Sequence, residues 1–589
     1  MHVAILEKDK CHPKKCNHEC QYYCPPVRSG IPTIEFPDPN GQPVITESLC
    51  IGCGICPKRC PFGAIKIIGL PDELEKDLFH QYGENSFRIY SFPTISRGKV
   101  TSILGQNGTG KTTTLNILSG ITVPNFGDYS KPGSKDLVLE KFSNNIMGKY
   151  FRDLYNGKNR VVLKNQYVDQ IPKVVKGTIG QVIDRSDQNG KKDLVIQQLG
   201  MEQALKKDVS SCSGGELQKM AVAVALLKDS DTLFFDEMSS YLDIGERIRI
   251  ARIIQDLSKE KTVMIVEHDL AILDWVADEV SPVYGETAAY GVIAVQRASN
   301  RAINSFLSGY LREENVRISN TPMEFINRSA RRSISPETLV SWSDIGKRLG
   351  DFTLSASSGE IRRGEVIGGL GRNALGKTTL VRIIAGELEP DSGSVSRKIK
   401  VSYKPQYIST DFDGTSSDFL VTTLKERMTD TFVKSEILNP LEIDEIMDSA
   451  VQDLSGGELQ RLSIAGTLAS ESDVYILDEP SAHLDASFRM SAARVIRVME
   501  NTKKSALVID HDIYFIDLIS DRAMIFSGEP GVIGRTFGPT DMRTGMNRFL
   551  AAVGITFRRD EKTNRPRINK HGSSMDRHQK ETGEYYYHA

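Results

Sequence analysis

The chain has 589 residues, a formal net charge of −2, 25% charged residues and 39% hydrophobic residues. This length predicts three or four domains, and the composition is ordinary for a soluble globular protein. The near-neutral charge excludes a generally basic protein, so any nucleic-acid surface has to be local. The longest apolar run, Met220–Leu227, is far shorter than a membrane span, and the N-terminus lacks the apolar stretch of a secretory signal. We therefore expect a cytoplasmic protein with no membrane partner.

Cysteines dominate the N-terminal segment, where eight of the nine lie within residues 11–60 in two runs that both end in Cys-Pro. The second run has the C-x2-C-x2-C-x3-C-P spacing of bacterial ferredoxins, whose fourth cysteine binds the other cluster of a pair. The first run, C-x4-C-x3-C-x3-C, is looser. Crossed ligation predicts two 4Fe–4S clusters, one held by Cys50, Cys53, Cys56 and Cys24, and the other by Cys11, Cys16, Cys20 and Cys60. Zinc is the alternative, although zinc favours two separated C-x2-C pairs.

Two phosphate-binding loops follow, GQNGTGKT and GRNALGKT, and each comes after an apolar strand-like stretch. Such a loop wraps backbone N–H groups around phosphates, its lysine reaches the β- and γ-phosphates, and its threonine reaches Mg²⁺. The predicted ATP-binding residues are Gly105, Asn107, Gly108, Gly110, Lys111, Thr112 and Thr113 in the first loop, and Gly371, Asn373, Gly376, Lys377, Thr378 and Thr379 in the second. An aromatic residue that stacks on adenine is expected before each loop; Phe87 is favoured over Tyr82, and Phe352 is its counterpart.

The same companion motifs follow both loops in the same order. An aspartate at a strand tip suits Mg²⁺, the next glutamate suits polarising an attacking water, and a histidine from the next strand can contact the γ-phosphate. The predicted catalytic residues are Glu237, Glu479, His268 and His511. The predicted Mg²⁺ ligands are Thr112, Gln166, Thr378 and Gln406, and Asp236 and Asp478 join the ATP-binding set.

A Ser-Gly-Gly turn begins SGGELQ in both halves and opens a helix, whose first N–H groups form an anion site. In one half this turn would lie far from its own phosphate loop. Two halves that face head-to-tail remove the difficulty, because each turn then closes over the ATP of the other half. The residues predicted to act in this way are Ser213, Gly214 and Gly215, and Ser455, Gly456 and Gly457.

An extra segment distinguishes the first half. The loop lysines are 266 residues apart but the glutamines only 240, so the first half is about 26 residues longer in between. Apolar residues at 142, 146, 150, 151 and 154 have roughly helical spacing. The basic residues of this segment, Lys141, Lys149, Arg152, Lys158 and Arg160, indicate either an RNA contact or a solvated helix face.

SGGELQ with these partners resembles the ATP-binding-cassette superfamily. PKKCNHECQYYCPPVRSG, LCIGCGICPKRCPFGAI, TFRRDEKTNRPRINK and the GEYYY end resemble its E subfamily, the ribosome-recycling ATPases of the RNase L inhibitor family. The lack of long insertions favours an archaeal member. The resemblance implies an α/β fold in which two ABC-type P-loop nucleotide-binding domains lie head-to-tail, preceded by a ferredoxin-like α+β iron–sulfur domain.

The implied domains are an iron–sulfur domain (1–71), a first nucleotide-binding domain (72–298) with a helix-loop-helix insert at about 130–160, a hinge (299–340), a second nucleotide-binding domain (341–540) and a C-terminal hinge (541–589). Composition alone would instead predict disorder for the last twenty residues. Arg328, Arg331 and Arg332 of the linker are candidates for RNA phosphate contacts. Ala374 stands where such loops usually have glycine, and we expect it to keep a negative φ.

The resemblance further implies an ATPase that acts as a monomer on the small ribosomal subunit with a release factor or its paralogue. Closure of the cassettes around ATP would split the ribosome, and the insert would touch ribosomal RNA. The clusters would shape a rigid module that swings on closure. The residues alone leave another class open, an ATP-gated electron-transfer enzyme in which the clusters are the donor.

Overall fold

The computed structural model describes residues 2–70, 74, 77–319, 322, 325, 335–397, 400–406 and 410–586. The linker arginines Arg328, Arg331 and Arg332 lie outside these ranges. In the part of the chain that is described, no helix combines the length and apolar character needed to cross a membrane.

The N-terminal module is a small α+β unit built around two antiparallel strand pairs, β1 with β4 and β2 with β3. Its core contains Cys20, Cys24 and Cys56 beside Ile34 and Ile45. Its elements are β1 (His2–Leu6), α1 (Glu19–Tyr22), α2 (Pro25–Arg28), β2 (Ile34–Glu35), β3 (Val44–Ile45), α3 (Ile55–Arg59) and β4 (Ile65–Gly69).

The first cassette is an α/β unit whose central strands run parallel in the order β11-β7-β10-β9-β8. These strands are buried, as expected when helices cover both faces of a parallel sheet. Its strands are β5 (Leu78–Gln81), β6 (Arg88–Tyr90), β7 (Val100–Leu104), β8 (Val161–Lys164), β9 (Thr232–Asp236), β10 (Thr262–Val266), β11 (Glu279–Glu286), β12 (Tyr290–Ile293) and β13 (Arg297–Ala298). Its helices are α4 (Lys111–Leu118), α5 (Lys135–Lys141), α6 (Ile146–Tyr155), α7 (Ile171–Val174), α8 (Ile179–Ser186), α9 (Lys192–Leu199), α10 (Gly214–Leu227), α11 (Ile244–Ser258) and α12 (Leu270–Val276).

The second cassette repeats this plan, with parallel strands in the order β24-β19-β23-β22-β21. Between the cassettes lie α13 (Ser299–Leu307), β14 (Tyr310–Leu311) and β15 (Val316–Arg317). The strands of the second cassette are β16 (Thr338–Leu349), β17 (Phe352–Ala356), β18 (Gly359–Arg362), β19 (Val366–Leu370), β20 (Ser392–Arg397), β21 (Val401–Lys404), β22 (Val474–Asp478), β23 (Ser505–Ile509), β24 (Arg522–Glu529) and β25 (Ile533–Asp541). Its helices are α14 (Lys377–Ala385), α15 (Ser416–Leu424), α16 (Thr431–Val433), α17 (Gly456–Ala469), α18 (Ala486–Asn501) and α19 (Ile513–Ile519).

The C-terminal segment, as far as Tyr586, contains regular elements and connects the two cassettes. Its elements are α20 (Met542–Val553), β26 (Phe557–Arg559), β27 (Pro566–Ile568) and α21 (Ser574–Thr582). The fully buried guanidinium of Arg565 donates to Asp274 of the first cassette (3.0 Å) and to the hydroxyl of Tyr514 of the second (3.2 Å). Composition alone was therefore wrong for the last twenty residues, because α21 and the buried Tyr586 lie within them.

The insert of the first cassette forms two short helices, α5 and α6, capped by the side chains of Ser134 and Asn145. Phe151 is fully buried in the core beneath α6. The predicted apolar face is wrong at Ile146, which is 76% exposed, because the helix turns Met147 inward instead.

Candidate nucleotide sites and cysteine module

Neighbouring parallel strands bring the predicted site residues of each cassette together. In the first cassette β7 leads into the phosphate loop, β9 ends at Asp236, and β10 leads to His268. Since β10 lies between β7 and β9, the three motifs share one edge of the sheet. Strands β19, β22 and β23 do the same in the second cassette, and ligands of open α/β sheets bind at this kind of edge.

The two phosphate-loop lysines are buried and held by their own loops. Lys111 donates to the carbonyl oxygens of Gly105 (3.0 Å) and Gln106 (2.7 Å). Lys377 donates to those of Gly371 and Arg372, both at 2.9 Å. Burial lowers the pKa of Lys111 and lowers the pKa of Lys377 to about 8, against the pull of nearby carboxylates. Each ammonium is thus placed in a poorly hydrated site where a phosphate would be a favourable partner.

The predicted Mg²⁺ ligands lie at the same edge. The Thr112 hydroxyl donates to Asp236 (2.9 Å), and the Thr378 hydroxyl lies 3.4 Å from the Gln406 side-chain oxygen. Asp478 is fully buried, and neither carboxylate oxygen has a hydrogen-bond partner among the described residues. Burial and the adjacent Glu479 together raise the pKa of Asp478 to about 6. A buried carboxylate without partners fits a site completed by a divalent cation with oxygen ligands.

Each predicted catalytic glutamate lies beside its predicted histidine. His268 Nε2 is 3.4 Å from Glu237 Oε1, and His511 Nε2 is 3.2 Å from Glu479 Oε1. Burial alone would raise the pKa of both glutamates, but the histidines and the loop lysines outweigh it and lower each pKa to about 2. Both glutamates have a left-handed backbone, φ 52° and 48°. Such conformations cost energy and persist only when neighbours hold them.

Two pairs of residues that the sequence reasoning missed hold these strained turns. The Gln218 and Gln460 amides each donate to the carbonyl of the predicted catalytic glutamate, Glu237 or Glu479, at 2.7 Å. Lys164 donates to the carbonyls of Asp236 (3.0 Å) and Glu237 (2.8 Å), and Lys404 donates to that of Asp478 (3.0 Å). The available signal was repetition: both halves have the glutamine as the last residue of SGGELQ and a lysine two positions before Gln166 or Gln406.

The cassettes contact each other head-to-tail through the loops that follow Glu237 and Glu479. The Asn107 backbone N–H donates to Asp485 of the second cassette (2.9 Å), and the Asn373 N–H donates to Asp243 of the first (3.2 Å). Between these contacts the rings of Tyr241 and His483 lie 5.8 Å apart. Asp243 and Asp485, which also cap α11 and α18, were missed from the sequence although both halves share Leu-Asp at this point.

The Ser-Gly-Gly turns open α10 and α17, as predicted. Ser213 and Ser455 are the N-cap residues, and each forms a capping box with the glutamate three positions later. In this structure Gly214 and Gly456 lie against Tyr241 and His483 of their own cassettes. Contact between either turn and a nucleotide on the opposite loop stays a prediction.

Ala374 does not keep a negative φ, and that expectation was wrong. Its φ is 57°, close to the 72° of Gly108 at the same point of the first loop. In both loops a backbone hydrogen bond from a distant turn holds this conformation. The Gly108 carbonyl accepts from the N–H of Ala288 (3.1 Å), and the Ala374 carbonyl accepts from the N–H of Gly531 (2.9 Å). Both loops are pinned in the same conformation, although only the first has the residue that adopts it without strain.

The aromatic candidates for adenine stacking lie against their phosphate loops in both cassettes. A Cβ added at Gly110 would lie 2.9 Å from the Phe87 ring, and one added at Gly376 would lie 2.9 Å from the Phe352 ring. Tyr82 instead bonds Thr113 through its hydroxyl (3.1 Å). The matching positions favour Phe87 and Phe352.

The cysteines of the module lie near one another, as crossed ligation requires, and their division into two ligand sets stays a prediction. Cys24, Cys50, Cys53 and Cys56 line one cavity. Burial, together with the nearby thiols of Cys60, Cys16 and Cys11, raises the pKa of Cys20 to about 12. Each predicted set consists of four thiols from both runs, which is the donor set of a 4Fe–4S cluster.

Family comparisons agree with this architecture. A model described as "ABC transporter" matches residues 91–240 and 354–482. One described as "Possible Fer4-like domain in RNase L inhibitor, RLI" matches residues 1–31, and a "4Fe-4S binding domain" model matches residues 43–66. The fold and sites therefore define a twin-cassette ATPase with an N-terminal module that binds 4Fe–4S clusters.

Relatives identify the family more closely. "Translation initiation factor RLI1" of Saccharomyces cerevisiae is 38% identical over 99% of this chain and 98% of its own. A structure titled as a model of ribosome-bound archaeal Pelota and ABCE1 is 46% identical with a TM-score of 0.93, and covers 100% of this chain and 99% of its own. The archaeal ribosome recycling factor aABCE1, solved with the ribosomal stalk protein aP1, is 47% identical with a TM-score of 0.84 and covers 88% and 100%. The chain belongs to the RNase L inhibitor family, the E subfamily of ATP-binding-cassette proteins.

Proposed function

We propose that this protein is an ATP-driven clamp that splits ribosomes into subunits after termination, in the cytoplasm and together with a release factor or its paralogue. The observation that carries the proposal is the reciprocal contact of each phosphate loop with an aspartate of the other cassette, Asn107 with Asp485 and Asn373 with Asp243. The loops at the two predicted ATP sites are thereby tied to the relative position of the cassettes. The family relationship supports the ribosome as the substrate of the movement.

Each site would act with residues of both halves. Lys111, Thr112 and Asp236 would hold the phosphates and Mg²⁺ of the first ATP, and Ser455–Gly457 would close over it; Lys377, Thr378 and Asp478 would work with Ser213–Gly215. The cation would neutralise charge on the phosphates. Glu237 and Glu479 stay ionised because their pKa values are low, so each can accept a hydrogen bond from an attacking water. His268 and His511, which lie beside these glutamates, would contact the γ-phosphates.

The cysteine groups support two 4Fe–4S clusters with crossed ligation, one for each set of four thiols. When bound, the clusters would cross-link α1, α2 and α3 of a module whose regular elements are very short. The residues that would hold them are those predicted from the spacing. An iron content of about eight per chain is the corresponding expectation.

A chain of hydrogen bonds connects the second cassette to the cysteine module through the first cassette. Asn107, which contacts Asp485 through its N–H, accepts from the Thr287 hydroxyl through its carbonyl (3.3 Å). The Thr287 carbonyl in turn accepts from Lys66 of β4 in the module (3.2 Å). A shift of the second cassette at Asp485 would therefore reach the module through two residues of the first cassette.

The insert supports a contact with ribosomal RNA. Arg160 is paired with Asp229 and Asp231, and Lys141 stacks on Phe126 at 4.2 Å. Lys149, Arg152 and Lys158 are exposed, and among the described residues they have no carboxylate within 4.0 Å. These three are the basic residues of the insert that are available to phosphates.

The test is sedimentation of native ribosomes with the protein and ATP, with and without a release factor. We expect conversion of whole ribosomes to subunits only when all components are present. Lys66→Ala should keep ATP hydrolysis but reduce splitting, because it cuts the contact between β4 and Thr287. Lys8→Ala, at an exposed lysine of the same module, is the matched control. Ribosomes that stay whole with every component present would contradict the proposal.

A further inference from the structure

A cavity of about 430 Å³ lies between the two cassettes and shares only Arg372 with the phosphate loops. One wall is α11 of the first cassette, another is the second phosphate loop at Arg372, and a third is the end of α20. Three arginines face this space from two cassettes: Arg249 and Arg252 of α11, and Arg372. The cavity volume falls in the range of small-molecule sites.

The positive charge of this cavity is not balanced by the carboxylates that line it. Glu246 is paired with Lys219, and Asp256 with Lys259, both at 2.7 Å. Among the residues described, neither Arg249 nor Arg252 has a carboxylate within 4.0 Å, and the buried Nε of Arg252 has no hydrogen-bond partner. A buried guanidinium N–H without a partner is costly, so Arg252 is suited to an anion that enters the cavity, and Arg249, which is exposed on the same helix, is accessible to that anion.

We propose that this cavity binds a small anion that carries several phosphate groups. The planar guanidinium group matches the oxygens of a phosphate with two parallel hydrogen bonds, which a lysine cannot do. The described lining residues include no aromatic side chain on which a base could stack; the apolar ones are aliphatic, Ile248, Ile253, Ala552 and Val553. The chemistry therefore fits a polyphosphate chain and not a nucleotide.

Such a ligand would act on the arrangement of the cassettes. Arg249 and Arg252 belong to the first cassette, and Arg372 belongs to the loop that binds the second ATP. Arg372 lies 3.8 Å from Asp243 of the first cassette, whereas Arg249 and Arg252 have no such carboxylate among the described residues. An anion in the cavity would bridge all three arginines. The anion would thus favour this arrangement through its higher affinity for it. The proposal does not depend on ribosome splitting.

The test uses the full-length protein with its clusters reconstituted and both nucleotide sites filled with Mg-ADP. Inorganic tripolyphosphate is titrated by calorimetry at low ionic strength, and we expect saturable binding of one anion per chain. The Arg249→Glu, Arg252→Glu double variant should weaken binding about tenfold or more, since two charge-assisted contacts become repulsive. The Arg185→Glu, Lys206→Glu double variant makes the same change in net charge at exposed residues outside the cavity, and it should bind as the unchanged protein does.

A second variant guards against misfolding. Arg249 is exposed, so Arg249→Gln should leave the fold and ADP binding intact and still weaken tripolyphosphate measurably. Absence of binding to the unchanged protein would overturn the proposal. So would equal loss in the cavity and control variants, or binding of a short single-stranded RNA without binding of tripolyphosphate, which would make the surface an RNA contact.

Discussion

The two cassettes place the same reacting groups in the same way but support them differently. Glu237 and Glu479 have nearly the same left-handed φ, and their carbonyls accept equivalent glutamine bonds. The two cassettes differ in the acidic residue that precedes the histidine. Asp510 accepts hydrogen bonds from Ser481, His511 and Asp512, whereas its counterpart Glu267 is buried with one oxygen that has no partner among the described residues.

In the phosphate loops it is the second cassette that has the less favourable arrangement. The first has Gly108 at its left-handed position, and the second has Ala374 there with φ 57°. In the first cassette the phosphate loop has no backbone strain at this position, but the carboxylate of Glu267 lacks a hydrogen bond to one oxygen. In the second cassette the phosphate loop is strained at Ala374, but the carboxylate of Asp510 accepts several hydrogen bonds. The shared motifs determine which residues each site contains. The residues around the motifs determine whether a cassette has a strained phosphate loop or a buried carboxylate oxygen without a hydrogen bond.

The largest expected effect concerns what the halves share. Glu237→Gln or Glu479→Gln should lower hydrolysis at its own site by roughly 100-fold or more, because an amide cannot polarise the attacking water. ATP binding should persist, since the lysine and backbone contacts to the phosphates remain. Single-turnover phosphate release and nucleotide binding measured on each variant check this. Loss of binding itself in either variant would mean that these glutamates are not the catalytic residues.

The phosphate loops should respond in opposite directions. A Cβ at Gly108 would lie 2.8 Å from the Thr287 methyl group and keep a positive φ, so Gly108→Ala should weaken ATP binding at the first site by about tenfold or more. Ala374→Gly relieves a strain of roughly 1–2 kcal/mol, which exceeds the entropic cost of about 0.5–1 kcal/mol for a new glycine.

Ala374→Gly should accordingly raise the free energy of unfolding slightly. Calorimetric unfolding with nucleotide titration measures both effects. Destabilisation by Ala374→Gly, or tolerance of Gly108→Ala, would show that the two loops do not differ as described.

The carboxylates behind the glutamates should differ in their pH response. Burial raises the pKa of Glu267 to about 7. Between its unfolded pKa and pH 7 the unfolded chain ionises while the folded one keeps its proton, so stability falls as pH rises, by roughly 1.4 kcal/mol per unit at most. Glu267→Gln should remove this decline and stabilise the protein by roughly 3 kcal/mol at pH 8, with little effect near pH 4.5.

Asp510→Asn is the matched change in the second cassette, and it should destabilise at both pH values. The reason is that an amide NH₂ cannot accept the bonds that the Asp510 carboxylate accepts. Denaturant unfolding of both variants at the two pH values distinguishes them. A pH-independent effect of Glu267→Gln would contradict its assignment as a buried protonated group.

The smallest expected effect uses a segment that only the first cassette has. Reversing Lys149 and Arg152 to Glu should loosen binding to the small ribosomal subunit and flatten its salt dependence, because fewer counterions are released. Reversal of Arg160, which already pairs with Asp229 and Asp231, is the control and should change this slope little. Unchanged binding by the Lys149 and Arg152 variant would leave the solvated-face interpretation standing.

Much of the architecture was predictable because it rests on repeated local motifs. The phosphate loops after buried strands and the helices opened by Ser213 and Ser455 follow from spacing and simple chemistry. The left-handed φ of Ala374 and the roles of Asp243 and Asp485 did not, since each depends on a neighbour distant in sequence. The regular structure of the C-terminal segment was hidden for the same reason: its arginines are buried only because Asp274 and Asp517 receive them. The exposure of Ile146 depends on the rotation of α6 about its axis, which the approximate helical spacing does not fix.

In the proposed function, closure of two composite ATP sites moves the cysteine module and splits the ribosome. The most direct test is sedimentation of ribosomes with release factor, ATP and the protein in which both Glu237 and Glu479 are changed to Gln. We predict one round of splitting, after which the variant stays bound to the small subunit because it cannot reopen. Two results together would contradict this function and favour electron transfer. The first is that ATP and the protein leave subunit association unaffected. The second is that the oxidation state of the clusters in the unchanged protein changes in proportion to the ATP consumed.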